Sequence, residues 1–281
     1  MTVPWCVSAR LKLGLSSLLG RWPTGPHRPG SVHNVKLSVV AQAGVTVLKH
    51  PGGQLRLMPW QASTRVAYLA SITDQPNVPR EFIEEAISLL QNQGFDSVVT
   101  GAISNQHETS FFETGFTEKE RLVLLHQRVH GQSGRRQHAN RLRRPHRIRR
   151  RHVNAVLQVD SRCFDSFWRL DDSGINEALA ATVRTRFRFY AHQGAVASYA
   201  ISGFTGQSGF IQRLAVDPAA QHQGLGAGLL DDALRWMARR GVRDVYVNTQ
   251  TTNKSALALY RRMGFAPTAD YLAVLERDLG I

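Results

Sequence analysis

The stretch Gln221-His222-Gln223-Gly224-Leu225-Gly226-Ala227-Gly228, called the glycine loop below, decides the predicted fold. Before it, Phe210–Val216 is typical of a strand, and Asp217-Pro218 ends that strand. After it, Leu229–Met237 has apolar residues at helical spacing. The order of strand, glycine-rich turn and helix start predicts an α/β unit with a binding site at the turn.

The glycine loop has the chemistry of an anion-binding site. Gly224, Gly226 and Gly228 let backbone N–H groups approach a ligand with no Cβ in the way. The first turn of a helix also leaves N–H groups without intrahelical partners, and the helix dipole favours negative charge there. The loop holds no acidic residue, and Gln221 and His222 add side-chain donors. We therefore predict a diphosphate ligand; the alternative is a glycine-rich helix entry that binds nothing.

A second motif follows at Asn253, after the apolar strand predicted at Val242–Asn248. Together the two motifs resemble the acetyl-CoA-binding core of the GCN5-related N-acetyltransferase (GNAT) superfamily. The family patterns Gln/Arg-x-x-Gly-x-Gly/Ala and Asn-x-x-Ala-x-x-x-Tyr-x-x-x-Gly-Phe fall on Gln221, Gly224, Gly226, Asn253, Ala256, Tyr260, Gly264 and Phe265. The likeness covers Val153–Leu279 and implies a mixed sheet with helices on both faces. The further elements predicted are helices within Asn154–Ala181 and strands at Arg186–His192, Ala195–Phe204 and Tyr271–Glu276.

The resemblance also implies roles for individual residues. Backbone groups of the strand before the glycine loop would bind the pantetheine arm, and the loop amides would hold the pyrophosphate. The implied acetyl-CoA-binding residues are Leu214, Ala215, Val216, Gln221, His222, Gln223, Gly224, Leu225, Gly226, Ala227 and Asn253. Tyr260 would protonate the departing CoA thiolate, because a phenolic hydroxyl is a donor at neutral pH. The alternative for Tyr260 is a helix residue that packs beneath the sheet.

The sequence departs from some members of the superfamily at the general base. Some members that acetylate protein N-terminal amines carry a glutamate at the position that resembles Asn248 here, and an asparagine accepts no proton at neutral pH. Asp171 and Asp172 are candidates for the base by position, or else they cap a helix. Phe164, Phe167 and Trp168 could form an aromatic wall for the acceptor, although aromatic residues at this spacing are more often core.

The first half of the chain resembles a second, degenerate copy of the same fold. Glu84–Gly94 aligns without gaps with Asp231–Gly241, 147 positions later, and shares its acidic pair, alanine and final glycine. A strand is predicted at Ser97–Ile103, Gly115-Phe116 repeats the end of the second motif, and an apolar strand follows at Leu122–Leu125. The alternative is chance likeness between two α/β segments.

This copy lacks the functional groups of the second half. Asp74–Pro79 stands where the glycine loop should be, and its two prolines remove N–H donors while its aspartate opposes a phosphate. Phe111 precedes Gly115 by four residues, as Tyr260 precedes Gly264, and has no proton to give. We therefore predict a structural or regulatory domain without catalysis.

An arginine-rich segment, Gly131–His152, joins the two halves. It holds nine arginines, three histidines and no acidic residue, so it supplies most of the net charge of +14. Such a run is typical of an exposed, mobile linker. It either binds an acidic surface or nucleic acid by electrostatics or is only a solvated linker.

Composition and length fit two domains. The 281 residues are 42% hydrophobic, enough for two cores. The predicted division is a disordered leader at 1–34, the degenerate domain at 35–130, the linker at 131–152 and the catalytic domain at 153–281. Cys6 and Cys163 fit neither a disulfide nor a metal site, no membrane span is evident, and a cytoplasmic location is predicted.

The sequence predicts an acetyl-CoA-dependent N-acetyltransferase. A primary amine, on a small molecule or a protein, would attack the thioester directly within a ternary complex. The tandem layout is similar to that of mycothiol synthase, which acetylates an aminosugar conjugate, so a small acceptor stays open beside a protein amine. The alternative is a non-catalytic protein on the same scaffold that binds acetyl-CoA, or nucleic acid through the arginine-rich linker.

Overall fold

The computed structural model describes residues 38–42, 44–71, 78–129 and 144–280. They form two compact units. The carboxy-terminal unit contains the described residues of Arg121–Leu272, and the amino-terminal unit contains those up to Glu120 together with those from Ala273 onward. The division thus falls ten residues before the predicted one, and the end of the chain joins the first unit. The predicted leader lies outside the described residues.

Both units contain strands and helices. Up to the linker the elements are β1 (Ser38–Gln42), β2 (Val45–His50), β3 (Gly53–Pro59), β4 (Val66–Ser71), α1 (Arg80–Asn92), β5 (Ser97–Thr100), β6 (Ile103–Ser104), α2 (Thr109–Glu113) and β7 (Thr117–Arg128). After it come β8 (His146–Arg147), α3 (Val153–Cys163), α4 (Asp172–Ala180), β9 (Arg184–His192), β10 (Ala195–Thr205), β11 (Ser208–Val216), α5 (Leu225–Ala238), β12 (Asp244–Gln250), α6 (Lys254–Arg262) and β13 (Ala266–Asp278). The mixed α/β fold predicted from the sequence is confirmed.

Each unit is built on a mixed sheet. In the amino-terminal unit the strand order is β1-β2-β3-β4-β5, followed by the end of β13. In the carboxy-terminal unit it is β7-β12-β11-β10-β9-β8. Neighbouring strands are antiparallel except β4 with β5 and β11 with β12, which are parallel. Among the helices of the described residues, none has both the length and the apolar character needed to cross a membrane.

Helix α5 forms the core of the carboxy-terminal unit. Its apolar positions recur at helical spacing, and Leu229, Leu230, Ala233 and Met237 are buried against the sheet. Gly241 ends this segment at φ +78°, where the Val242 N–H donates to the Met237 carbonyl at 3.2 Å. Because α5 packs along the sheet, its first turn lies beside the end of β11, as the sequence predicts.

The internal repeat is visible in hydrogen bonds at equivalent positions. After α1, the Phe95 N–H donates to the Leu90 carbonyl at 3.2 Å, as Val242 does to Met237 after α5. After α2, the Phe116 N–H donates to the Phe111 carbonyl at 3.1 Å. After α6, the Phe265 N–H donates to Tyr260 in the same way, at 3.0 Å. Two copies of one fold in tandem are therefore confirmed, with Phe111 in the place of Tyr260. The predicted counterpart of the glycine loop falls largely on residues 72–77, outside the described part.

The described part of the predicted linker, residues 144–152, is not a mobile tether. His146 and Arg147 form β8, which pairs with the edge strand β9, and the Ile148 N–H donates to the Phe187 carbonyl at 3.2 Å. The rings of His146 and His152 both lie against Phe189. The linker interpretation was wrong for this part because β9 offers unpaired backbone groups and an aromatic surface to it. Residues 131–143 lie outside the described part.

Candidate active site

A cavity of about 320 Å³ opens at the glycine loop. Seven residues implied to bind acetyl-CoA line it: Val216, Gln221, His222, Gly224, Leu225, Gly226 and Ala227. Ser255, Ala258, Leu259 and Arg262, all on α6, complete the lining. We call it the glycine-loop cavity. The structure thus brings the turn predicted as an anion site together with one face of the helix in the second motif.

The backbone of the glycine loop exposes N–H groups at the start of α5. His222 and Gly224 have φ of +62° and +79°, so the chain reverses sharply before Leu225. The first intrahelical bond here is donated by the Gly228 N–H to the Gly224 carbonyl at 2.9 Å. The three preceding helical N–H groups therefore have no intrahelical partner, which is the arrangement that binds phosphate.

Helix α6 contributes residues that the sequence reasoning missed. Ser255, Ala258 and Arg262 recur at helical spacing and so share one face. Arg262 places a guanidinium at a cavity whose predicted ligand is a diphosphate. The spacing of these residues within the second motif was the signal that could have found them.

The sheet opens next to this cavity. Within the described residues, the ladder between β11 and β12 is confined to Ser208–Phe210 and Asp244–Tyr246, whereas β11 runs on to Val216 paired with β10. The edge of β11 that faces away from β10 is thus free of β12 along Leu214 and Ala215. Backbone groups on such an edge suit an amide-containing chain.

Tyr260 is fully buried on α6 with an unsatisfied hydroxyl. Its side chain is 0% exposed, and its ring packs edge-on against Phe265 with centroids 5.7 Å apart. The hydroxyl oxygen has no hydrogen-bond partner within the described part of the chain. Burial raises the pKa of Tyr260, so the group remains a proton donor at neutral pH. A buried hydroxyl without a partner is costly, so this group is a cost to the stability of the fold.

Other predicted site residues lie outside the lining of the glycine-loop cavity. Asn253 caps α6, where its side-chain oxygen accepts from the Ala256 N–H at 3.0 Å. Gln223 is exposed, and Leu214 and Ala215 are buried on β11. The structure therefore gives Asn253 a local role that explains its position in the motif without a ligand.

Gly228 has a packing role that the sequence reasoning did not assign. A Cβ built on it would lie 2.9 Å from the Tyr190 hydroxyl oxygen and 3.0 Å from the ring. The absence of a side chain thus lets α5 approach β9 closely.

We expect Gly228→Ala to lower the free energy of unfolding by about 1–3 kcal/mol, because the rigid, buried Tyr190 ring must move. Urea denaturation measures this change. Tyr190→Phe removes the closest atom and should restore part of the loss in the double variant. Equal losses with and without the Tyr190 hydroxyl would contradict the contact.

The candidates for a general base have other roles. The Asp171 carboxylate caps α4 by accepting from the Gly174 N–H at 2.7 Å, and Asp172 is exposed in the first turn. Of the aromatic residues, Phe164 and Trp168 are buried in the core. For Asp171, Phe164 and Trp168 the structure thus favours the structural alternatives over an acceptor cleft.

Two buried amide oxygens lie where the sheet opens. Gln212 and Asn248 are each 2% exposed, and neither side-chain oxygen has a partner in the described residues. The Phe210 and Tyr246 rings stack at 6.0 Å, which places them on one face of the sheet. Because side chains alternate along a strand, Asn248 lies on that face beyond Tyr246. The predicted place of the base thus holds an acceptor oxygen but no base.

A buried ion pair fixes the chain between α3 and α4. The sequence did not predict it. Arg213 and Asp160, both 0% exposed, meet at 2.6 Å, and Tyr199 also hydrogen-bonds Asp160. Arg213 donates to the Trp168 carbonyl at 2.8 Å, and Asp160 accepts from the Leu170 N–H at 2.7 Å. The pair thus holds the segment that connects the two helices from both sides.

Comparison with known proteins finds a likeness in the carboxy-terminal part of the chain. The sequence profile of the acetyltransferase (GNAT) family matches residues 153–265. This part of the chain is therefore similar to that family.

Relatives and solved structures extend this result. The [ribosomal protein bS18]-alanine N-acetyltransferase of Escherichia coli is 35% identical over 72 residues, 26% of this chain and 49% of that protein. The mycothiol acetyltransferase of Amycolatopsis mediterranei is 42% identical over 57 residues, 20% of this chain and 19% of that protein. The chain spans about half the length of the first relative and about a fifth of the second.

A tandem GNAT protein from the clavulanic acid biosynthesis pathway has the same fold over 100% of this chain and 99% of its own, with a TM-score of 0.62 and 13% identity. Its fold agrees with the tandem arrangement read from the internal repeat.

Proposed function

We propose that the carboxy-terminal unit transfers the acetyl group of acetyl-CoA to a primary amine. The observation that carries this proposal is the glycine-loop cavity, in which unpaired helix N–H groups and Arg262 face the same space. That donor set fits the diphosphate of coenzyme A. The open edge of β11 beyond Phe210 fits its amide-containing arm.

The reaction is a direct transfer. The amine nitrogen bonds to the thioester carbonyl carbon, the carbon–sulfur bond breaks, and the amine loses one proton. Backbone N–H groups of β11 stabilise the oxyanion, and the Tyr260 hydroxyl gives its proton to the thiolate. Cys163 takes no part: burial raises the pKa of its thiol to about 11, and the thiol contacts the Val216 carbonyl at 3.2 Å.

In this proposal, no carboxylate of the carboxy-terminal unit acts as the base that removes the proton of the acceptor amine. Asn248 offers an oxygen that accepts a hydrogen bond from the amine and orients it. The acceptor therefore loses its proton to water or reacts as a weakly basic amine. One relative is named for an alanine of a ribosomal protein and the other for mycothiol, so both protein and small-molecule acceptors stay within the proposal.

The binding step is tested by calorimetry with acetyl-CoA. We expect wild type to bind and Gly226→Glu to bind at least about 100-fold more weakly, because a carboxylate would enter the buried start of α5 and oppose the diphosphate. Absence of binding to folded wild type would contradict the proposal.

A milder pair of variants controls for folding. Arg262→Gln should weaken binding about tenfold, whereas Arg261→Gln, on the same exposed turn of α6 but outside the cavity lining, should not. Equal effects of the two variants would show that acetyl-CoA affinity depends on the total charge of α6 and not on a contact within the cavity.

The amino-terminal unit is proposed to be non-catalytic. Phe111 occupies the place of Tyr260, and it packs edge-on against Phe116 with ring centroids 5.4 Å apart, as Tyr260 packs against Phe265. The amino-terminal unit thus has the same ring packing but lacks the phenolic hydroxyl that would donate a proton.

A second candidate function is a non-catalytic acetyl-CoA-binding protein, which the missing base at Asn248 favours. Binding of acetyl-CoA without transfer to any amine in an acceptor screen would support this candidate over the enzyme. A cytoplasmic location stays a prediction of the sequence.

A further inference from the structure

A second cavity, of about 360 Å³, lies at the edge of the carboxy-terminal sheet, where β8 pairs with β9. Its lining is Arg147, Ile148, Leu179, Thr185, Arg186, Phe187, Arg188 and Trp236. We call it the arginine cavity. It shares no lining residue with the glycine-loop cavity, so the acetyl-transfer proposal gives it no role.

Two arginines face each other directly across the β8–β9 ladder. Arg147 is the register partner of Arg188, and like charges in directly opposed positions of an antiparallel pair repel. Arg186 lies two residues from Arg188 on the same strand and therefore on the same face. Three guanidinium groups thus converge on one cavity.

Only Arg186 has its charge balanced. Its Nε and one terminal nitrogen donate to the two oxygens of Asp232 at 2.7 and 2.9 Å. Asp232 therefore binds Arg186 through both of its oxygens. Within the described residues, neither Arg147 nor Arg188 forms an ion pair. Asp232 thus neutralises Arg186 and offsets only part of the repulsion between Arg147 and Arg188.

Arg188 is half-buried, which makes this charge more costly. Burial, together with Arg186 and Arg147, lowers the pKa of its guanidinium, although Asp232 acts in the opposite direction. An anion bound between the two guanidinium groups would offset their repulsion.

We propose that the arginine cavity binds a phosphate group. The free charges of Arg147 and Arg188 sum to two, and a phosphate monoester carries about −1.5 to −2 at neutral pH, whereas a carboxylate carries only one charge. Guanidinium forks bind phosphate oxygens in pairs. Ile148, Phe187 and Trp236 add apolar surface, which suits a phosphate attached to an organic body. That body belongs to a small phosphorylated molecule or to a nucleic-acid strand.

The test uses the full chain and three probes: inorganic phosphate, adenosine monophosphate and a single-stranded RNA of about 12 nucleotides. Calorimetry is carried out on wild type, Arg147→Gln, Arg188→Gln and a matched control, Arg184→Gln. Arg184 lies on the same strand, is exposed and does not line the cavity. We expect the first two variants to weaken binding about tenfold each and the control to leave it unchanged.

The probes separate the two sources of phosphate. Binding of adenosine monophosphate with a shallow salt dependence supports a small phosphorylated ligand. Binding of RNA alone, with a salt slope that falls by about 1 on loss of either arginine, supports a nucleic-acid strand. The proposal is overturned if no probe binds, if Arg184→Gln has the same effect, or if only Gly226→Glu abolishes binding. Without any probe, Arg188→Gln should raise the melting temperature, because it removes the repulsion; a lower value would also overturn the proposal.

Discussion

A Tyr260→Phe variant is expected to transfer acetyl about 10²–10⁴-fold more slowly than wild type while remaining at least as stable. The loss in rate follows because the thiolate then leaves without a proton donor. Stability is retained because the hydroxyl is buried without a partner, so its removal also removes an unsatisfied polar atom. Steady-state kinetics on an identified acceptor, with urea denaturation of both proteins, measures the two effects.

Two controls make this result specific. Acetyl-CoA binding should be unchanged in Tyr260→Phe, since the phenyl ring keeps its contact with Phe265. Tyr190→Phe removes another tyrosine hydroxyl of the same unit and should leave the rate near that of wild type. An unaltered turnover in Tyr260→Phe would show that the thiolate needs no acid from this residue.

The pH dependence of the wild-type rate follows from the same burial. Because the pKa of Tyr260 is raised, its hydroxyl stays protonated beyond the ordinary tyrosine value of about 10. The rate should therefore rise with pH as the acceptor amine loses its proton, with no fall below pH of about 10 from ionisation of Tyr260.

The largest expected effect on stability is that of Arg213→Met. This change leaves the Asp160 carboxylate buried without its cation, and we expect the free energy of unfolding to fall by about 3–5 kcal/mol. A loss of this size is a large fraction of the stability of an ordinary domain. Urea denaturation measures it.

The surface offers a matched ion pair for comparison. Arg162 pairs with Asp217 at 2.7 Å but is 49% exposed, so Arg162→Met should cost no more than about 1 kcal/mol. Replacing both buried partners, in Arg213→Met with Asp160→Leu, should recover much of the loss, because no charge is then left uncompensated. A double variant no more stable than Arg213→Met would mean that the hydrogen bonds to Trp168 and Leu170 dominate.

Short sequence motifs predicted those candidate site residues that lie close together in the chain. The glycine loop and Tyr260 lie within short motifs, and their strand, turn and helix follow from apolar spacing and glycine positions. The contact of Gly228 with Tyr190 was missed because it joins residues that no sequence period relates. The Arg213–Asp160 pair spans 53 positions, and charged residues are not expected in a core unless their partner is known.

The charge of the arginine-rich segment led to the wrong prediction for residues 144–152, again because the contacts of this part are not local in sequence. A run rich in arginine predicts solvation, yet His146, Ile148 and His152 are spaced so that the chain can lie against Phe187 and Phe189. These three residues hold this stretch against the edge of β9. The composition of the whole run, which is dominated by arginine, does not show them.

Strand β13 is synthesised long after β5, the strand with which it pairs. Glu276, Arg277 and Asp278 of β13 pair with Val99, Val98 and Ser97 of β5. A ribosome synthesises β5 long before it reaches these partners, so β5 emerges with one edge unfilled. The amino-terminal sheet is therefore completed only after β13 has been made, and until then it exposes a strand edge that chaperones or neighbouring chains can bind.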